Sequence, residues 1–217
     1  MNKSFITVKN LSKSFNEKSI IKNLSFSINK GDLVKISGSN GAGKSTLLKI
    51  IARIYNQDSG EIIIDGKDIN KSSLSKSMIS YISSDFVFYK DLTVKKNIIF
   101  YFNLIGEKNS KELYEKNKDF LKLCEFEDFY PEILSNGQKK KMNLFRTLIP
   151  IYEVYLIDEP ENGLDSESKN ELDKKLDSLA NKSTMIYTSH NSNSLSIYKQ
   201  TTKEILLWKI YQKCFWL

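Results

Sequence analysis

Cysteine and histidine are scarce in this 217-residue chain, which holds only Cys124, Cys214 and His190. The two cysteines make neither a metal-ligand spacing nor a disulfide framework, which points to a reducing compartment. No apolar run is long enough to cross a bilayer. The longest, such as residues 98–102, fall far short of the roughly 20 residues a spanning helix needs. The opening Met1-Asn2-Lys3-Ser4-Phe5 lacks the apolar stretch of a secretory signal. These absences read as a chain soluble on its own, whose role at a membrane would come through a partner. Internal repeats and low-complexity linkers are also missing. The formal net charge is +7, yet the lysines are scattered, and Lys139-Lys140-Lys141 is the only run of three. Without a basic stripe interleaved with aromatics, direct nucleic-acid binding is not expected.

Gly38-Ser39-Asn40-Gly41-Ala42-Gly43-Lys44-Ser45 fits the pattern G-x-x-x-x-G-K-[ST]. It follows a strand-like apolar run at 33–36 and opens a helix-like run at 46–54 that starts on Thr46, the context a phosphate-binding loop needs. Glycines let the backbone wrap an anion with successive N–H groups pointing inward, and the following helix N-terminus adds a favourable dipole. Lys44 would reach the terminal phosphates, and the Ser45 hydroxyl would hold Mg²⁺.

Around this loop the pattern alternates between strands and helices. Residues 5–8 and 24–28 alternate as half-buried strands, and 61–64 reads as a strand closed by the turn Asp65-Gly66. Runs at 78–82, 154–157 and 184–188 read as buried strands, and 204–217 reads as a last strand in preference to a small partner contact. Helical spacing occupies 93–105, 110–120, 138–148 and 166–179. Strands alternating with helices after residue 31 argue for a parallel α/β core. The composition shift over about 85–135 reads as an inserted helical subdomain.

Three further constellations carry chemistry. The apolar run Val154-Tyr155-Leu156-Ile157 ends in Asp158-Glu159. A parallel strand beside the loop strand would bring Asp158 to Mg²⁺ and Glu159 to an attacking water. Leu134-Ser135-Asn136-Gly137-Gln138 opens a helix, where Ser135 and the N–H groups from Gly137 onward make either an anion site or an ordinary capped helix start. His190 ends a strand on the edge where α/β sheets bind ligands, and would bond a terminal phosphate or the water.

Together these motifs resemble the ATP-binding-cassette ATPases over about residues 4–208. The order is the phosphate loop, the signature-like 134–138, the Asp158-Glu159 pair, the turn Gly163-Leu164-Asp165 and His190. The resemblance implies an α/β P-loop NTPase core (a RecA-like mixed sheet) with an N-terminal antiparallel β subdomain and an inserted α-helical subdomain. One domain would span 1–217, with a catalytic core of about 1–84 and 136–217 around a helical part of about 85–135. ATP and Mg²⁺ are the implied cofactors. Phe15 would stack on adenine, and Gly38, Ser39, Asn40, Gly41, Ala42, Gly43, Lys44, Ser45 and Thr46 would hold the phosphates. Glu159, His190 and Lys44 would be catalytic. Ser135, Gly137, Gln138 and Asp165 would serve a nucleotide held by a facing chain, so a homodimer or a homologous partner is implied.

The resemblance also implies a separate transmembrane permease contacted near 85–94, and a place on the inner face of the cell membrane. Residues 97–106 resemble exporter-type subunits. Soluble relatives of the iron–sulfur assembly type are the alternative. Translation and repair ATPases fit less well, because one cassette is present and no coiled-coil insertion appears. A non-catalytic nucleotide sensor is opposed by the intact Lys44, Glu159 and His190. Three positions depart from the family pattern. Ser84, or Asp85 if the loop slips by one, stands where a magnesium-binding Gln is usual. Asn136 replaces a Gly, at a turn where Asn would tolerate positive φ. Glu161 replaces a small hydroxyl residue.

Overall fold

The structure, a computed structural model, describes residues 4–71, 78–83, 87–180, 182–189 and 195–207. The chain opens with β1 (Ile6–Phe15) and β2 (Lys18–Ile28), followed by β3 (Leu33–Ser37) and α1 (Lys44–Ile51). Next come β4 (Ser59–Ile64), β5 (Lys67–Asp68) and β6 (Ile79–Ile82). A helical stretch holds α2 (Val94–Ile105), α3 (Ser110–Asn117), a 3-10 segment at Phe120–Phe126 and α4 (Asn136–Leu148). The last elements are β7 (Val154–Asp158), α5 (Ser166–Ala180), β8 (Thr184–Thr188) and β9 (Lys203–Leu206).

Two sheets form. The first is antiparallel, in the order β2-β1-β4-β5, with Ile6 opposite both Ile28 and Ile64. Strand β1 is longer than the 5–8 alternation predicts. Register shifts after Val8, with Asn10 at φ 50°, break the period-two pattern without ending the pairing. At its far end Asn16 and Glu17, both at positive φ, make a two-residue turn that sets Phe15 opposite Lys18.

The second sheet runs β6-β7-β8-β3-β9, and every pairing in it is parallel. The mixed character expected of the core thus resolves into two sheets of different kind. Strands β7 and β8 are buried almost throughout, as continuous apolar runs in a covered parallel sheet should be. Because all five strands point the same way, β3, β7 and β8 deliver Ser37, Asp158 and Thr188 to one edge. Strand β7 does not lie beside the loop strand as expected; β8 sits between them.

Helix α1 is the wedge between the sheets. Leu47, Leu48, Ile50 and Ile51 are buried in a core shared with Ile6 and Ile64 of one sheet and Val34 and Leu156 of the other. Each contributes about 2 kcal/mol of burial. The helix stops three residues before the predicted end, because Arg53 at φ 60° cannot continue it.

Helix α4 joins two further apolar clusters. Leu144 and Leu148 pack with Tyr155 and Leu172, while Met142 and Phe145 pack with Phe102 and Tyr114. Helix α3 ends at Asn117, short of the predicted 120, and left-handed Leu121 and Lys122 kink the segment that follows. The last strand is described only as far as Leu206. The remainder of the predicted 204–217 strand lies outside the described residues beyond Leu207.

Candidate functional site

Between β3 and α1 the chain makes a tight loop whose three glycines, Gly38, Gly41 and Gly43, all have positive φ. Two have no room for a side chain. A Cβ on Gly38 would lie 2.5 Å from the Leu207 carbonyl oxygen, and one on Gly43 would lie 2.9 Å from Ile20 Cγ2. Gly43 then enters α1 from the left-handed region, and no cap side chain occupies the first N–H groups of the helix. Lys44 is buried, and its ammonium donates to the Gly38 carbonyl at 2.8 Å and the Ser39 carbonyl at 3.2 Å. A helix N-terminus without a side-chain cap, beside a fixed cation, is a receptacle for an anion.

A cavity of about 440 Å³ opens above the loop. Of the residues expected at the nucleotide, Phe15, Asn40, Gly41, Gly43, Lys44, Ser45, Thr46 and Glu159 line it, and Gly38, Ser39 and Ala42 do not. Lys18 and Ile20 line it too, and sequence reasoning missed both. The hairpin turn explains them, since it sets Lys18 directly across from Phe15. The Phe15 ring is held from behind by Tyr55 in an edge contact at 5.5 Å and by the Lys13 ammonium at 5.1 Å. Lys13 is itself fixed by Asp58 at 2.7 Å. Ala42 is buried, in contact with a neighbouring cavity lined by Ile21, Leu24 and Leu207.

At the end of β7, Asp158 accepts a hydrogen bond from Thr188 Oγ1 at 2.5 Å, which leaves its second carboxylate oxygen for another partner. Asp158 and the Ser45 hydroxyl are hard oxygen donors. They suit Mg²⁺, which takes few protein ligands and keeps water and phosphate oxygens. Glu159 adopts φ 50°, and Asn162 Nδ2 donates to its Oε2 at 2.7 Å. Ser84, the alternative Asp85 and His190 lie outside the described residues.

Ser135, Gly137, Gln138 and Asp165 do not line this cavity. Within the chain they build a second cluster. Ser135 caps α4 in a reciprocal box: its Oγ accepts from the Gln138 N–H at 3.2 Å, and Gln138 Oε1 accepts from the Ser135 N–H at 3.0 Å. Gly137 abuts the Gly163 carbonyl, which a Cβ would meet at 3.7 Å. Asp165 caps α5 by accepting from the Ser168 N–H at 2.8 Å and pairs with Lys141 at 3.0 Å. These two contacts, the Ser168 amide foremost, hold its carboxyl well below the usual range. Asn136 corrects an expectation. It sits in the first turn of α4 and is absent from the positive-φ residues, so the freedom of glycine is not needed there.

A model described as ABC transporter matches residues 21–162, a span that runs from behind the loop to the turn after Glu159. The chain belongs to the ABC transporter family. Among its relatives, the "Fe(3+) ions import ATP-binding protein FbpC 1" of Haemophilus influenzae is 29% identical over 194 residues, covering 88% of this chain and 59% of that protein. The "Spermidine/putrescine import ATP-binding protein PotA" of Thermotoga maritima is 34% identical over 191 residues, covering 86% of this chain and 52% of that protein. The chain thus spans little more than half the length of these curated relatives. A solved dimeric ATP-binding cassette, in a post-hydrolysis state with ADP and Pi, superposes with a TM-score of 0.78 at 24% identity over 95% of this chain and 97% of that one. This likeness confirms the fold, a P-loop NTPase core with an antiparallel β sheet and a helical portion.

The family pattern did not account for Glu161, but the structure does. It is buried, and it accepts from Ser189 Oγ at 2.7 Å and from Tyr198 Oη at 3.1 Å. These partners lie far along the chain from Glu161, so the local sequence did not reveal its role.

Proposed function

We propose that this ABC-family chain is the ATP-binding and ATP-hydrolysing subunit of a transporter, working in pairs on a separate transmembrane permease. One observation carries the reading: the glycine loop, buried Lys44, Ser45, Phe15 and Glu159 converge on a single cavity. Phe15 would stack on the base. The loop amides and Lys44 would neutralise the phosphates. Ser45 and Asp158 would hold Mg²⁺, with Ser84 or Asp85 a further proposed ligand. When bound, that ion supplies charge stabilisation at the phosphate oxygens.

Glu159, aimed by Asn162, would take a proton from the attacking water as its oxygen bonds to the γ-phosphorus and the bridge to ADP breaks. His190 is proposed to bond the γ-phosphate or that water. Ser135, Gly137, Gln138 and Asp165 belong to the separate second cluster, so a second cassette would present them to the nucleotide. The dimeric cassette among the solved structures supports this arrangement.

The permease reading draws support from exposed apolar side chains. Val87, Tyr89, Phe129, Tyr130 and Ile133 are all exposed. Nearby, Val87, Phe88 and Pro131 border a groove of about 470 Å³. Arg146 ties this face to α4, stacking on Phe88 and Tyr101 and donating to the Val87 carbonyl at 3.0 Å. Among the described residues no helix is long and apolar enough to cross a membrane. A place at the inner membrane face through the permease is part of this proposal. The import in the relatives' names lends no support to the exporter reading of residues 97–106, nor to the iron–sulfur alternative.

The test is ATP binding and turnover by the purified chain. Glu159→Gln should keep ATP affinity, lose at least about a hundredfold in turnover and accumulate as an ATP-bound dimer in gel filtration. Wild-type turnover in that variant removes Glu159 as the base, and a chain that binds no ATP removes the whole reading.

A further inference from the structure

Glu161 is a buried carboxylate that the mechanism above leaves without a task. It is 5% exposed, yet both of its oxygens are engaged, Oε1 by Ser189 and Oε2 by Tyr198. A charge taken out of water persists only where its lone pairs are filled and a counter-charge is near. Tyr198 is pinned as a donor. It lies flat on Tyr187, with centroids 4.2 Å apart at 4°, and burial foremost, with Glu161 beside it, pushes its phenol upward. The counter-charge comes from α4: Lys140 is equally buried, and its ammonium lies 3.4 Å from the Glu159 carbonyl. Burial lowers the Lys140 ammonium, and Glu161, ahead of Asp158 and Glu159, opposes that fall.

What these groups surround is the turn carrying Glu159. A glutamate at φ 50° holds only where its neighbours over-determine it. The Glu159 N–H donates to the Thr188 carbonyl at 3.2 Å, and its own carbonyl accepts from Lys140 and from the Asn162 N–H at 3.4 Å. The Glu161 carbonyl accepts from the Leu164 N–H at 3.3 Å. The side chain of Glu161 is thus the link from this turn to Ser189, the residue after β8, and to Tyr198.

We infer that Glu161 is a positioning residue for ATP hydrolysis, clamping the turn after β7 to the end of β8 so that the Glu159 carboxylate stays at the nucleotide. The inference rests on the ATPase reading and adds to it a residue that touches no substrate. It also gives a purpose to the departure from a small hydroxyl residue, because only a long carboxylate engages both donors.

The experiment compares ATP affinity, KM and kcat for the wild-type chain, Glu161→Ala, Glu161→Gln, Ser189→Ala and Tyr198→Phe. Glu161→Ala should lower kcat by about tenfold or more while KM and the ATP dissociation constant stay within about twofold. Glu161→Gln, which keeps one oxygen acceptor, should recover part of that loss. Ser189→Ala and Tyr198→Phe, each deleting one donor, should lower kcat by about two- to fivefold at unchanged KM. Wild-type kcat in Glu161→Ala, or a loss carried by KM alone, overturns the inference. If Glu161→Ala does not fold, wild-type kcat in both single-donor variants overturns it instead. An active wild type with unaffected variants sinks this inference alone, whereas a wild-type chain without turnover sinks the ATPase reading along with it.

Discussion

The side-chain amide of Asn162 donates to Glu159 Oε2 at 2.7 Å, so a residue three positions along the same turn sets the direction of the proposed base. Asn162→Ala should leave ATP affinity unchanged and lower kcat by about three- to tenfold, the value of one hydrogen bond to a charged group at a partly wet site. Asn162→Asp should cost more, because it replaces the donor with an acceptor-only carboxylate that repels Glu159. Steady-state turnover at saturating ATP checks both.

Phe15 stands at the cavity mouth, 41% exposed and backed by Tyr55 and Lys13. Phe15→Ala should weaken ATP binding by about tenfold, within the range measured for one base on one aromatic ring. Inorganic triphosphate has no base and should bind equally to both proteins. Calorimetric titration with the two ligands makes the comparison, and equal losses for both would show that Phe15 holds the loop rather than the base.

Gly38→Ala should be costly. The new methyl would lie 2.5 Å from the Leu207 carbonyl oxygen at a φ of 151° that L residues avoid. A strain of about 2 kcal/mol predicts a fall in Tm of roughly 4–8 °C for a domain of this size, with ATP affinity lost alongside. Thermal melting monitored by circular dichroism measures the first and nucleotide titration the second.

Asp165 predicts a pH-dependent effect. Its carboxyl is held below its ordinary value in the fold by the Ser168 amide and Lys141. Its contribution is therefore present above the unfolded pKa of about 3.9, and it is lost as pH falls below that toward the folded value. Asp165→Ala should cost about 1 kcal/mol at neutral pH as a lost helix cap. The gap in Tm between wild type and variant should be constant from pH 7 to 5 and shrink below about pH 4.

These predictions separate what local sequence encodes from what it does not. The loop at 38–45 was legible because its geometry is written in the residues themselves: glycines where φ is positive, and a lysine where the helix begins. A helix start at Ser135 was legible as one of two readings, but the reciprocal box with Gln138 was not. Lys18 was not, because the register shifts near Asn10 hid the length of β1 and with it the hairpin that aims Lys18 at the cavity. The order of the second sheet was not legible either. Nothing in the residues of β7 states that β8 will come between it and β3. Glu161 was opaque, since the donors that meet its carboxylate lie 28 and 37 residues away.

The pairing of β3 bears on how the protein is made. Its two neighbours are β8 and β9, with Val34 beside Ile186 and Lys203. The antiparallel sheet, by contrast, has all its strands by Asp68. During synthesis the strands of the first sheet emerge together, while the strand that launches the phosphate loop waits for partners about 150 residues downstream. Such long-range parallel pairing is slow and leaves unpaired edges open to aggregation. The loop sequence is thus made well before the sheet that holds it, which makes this interval one in which chaperone binding would matter.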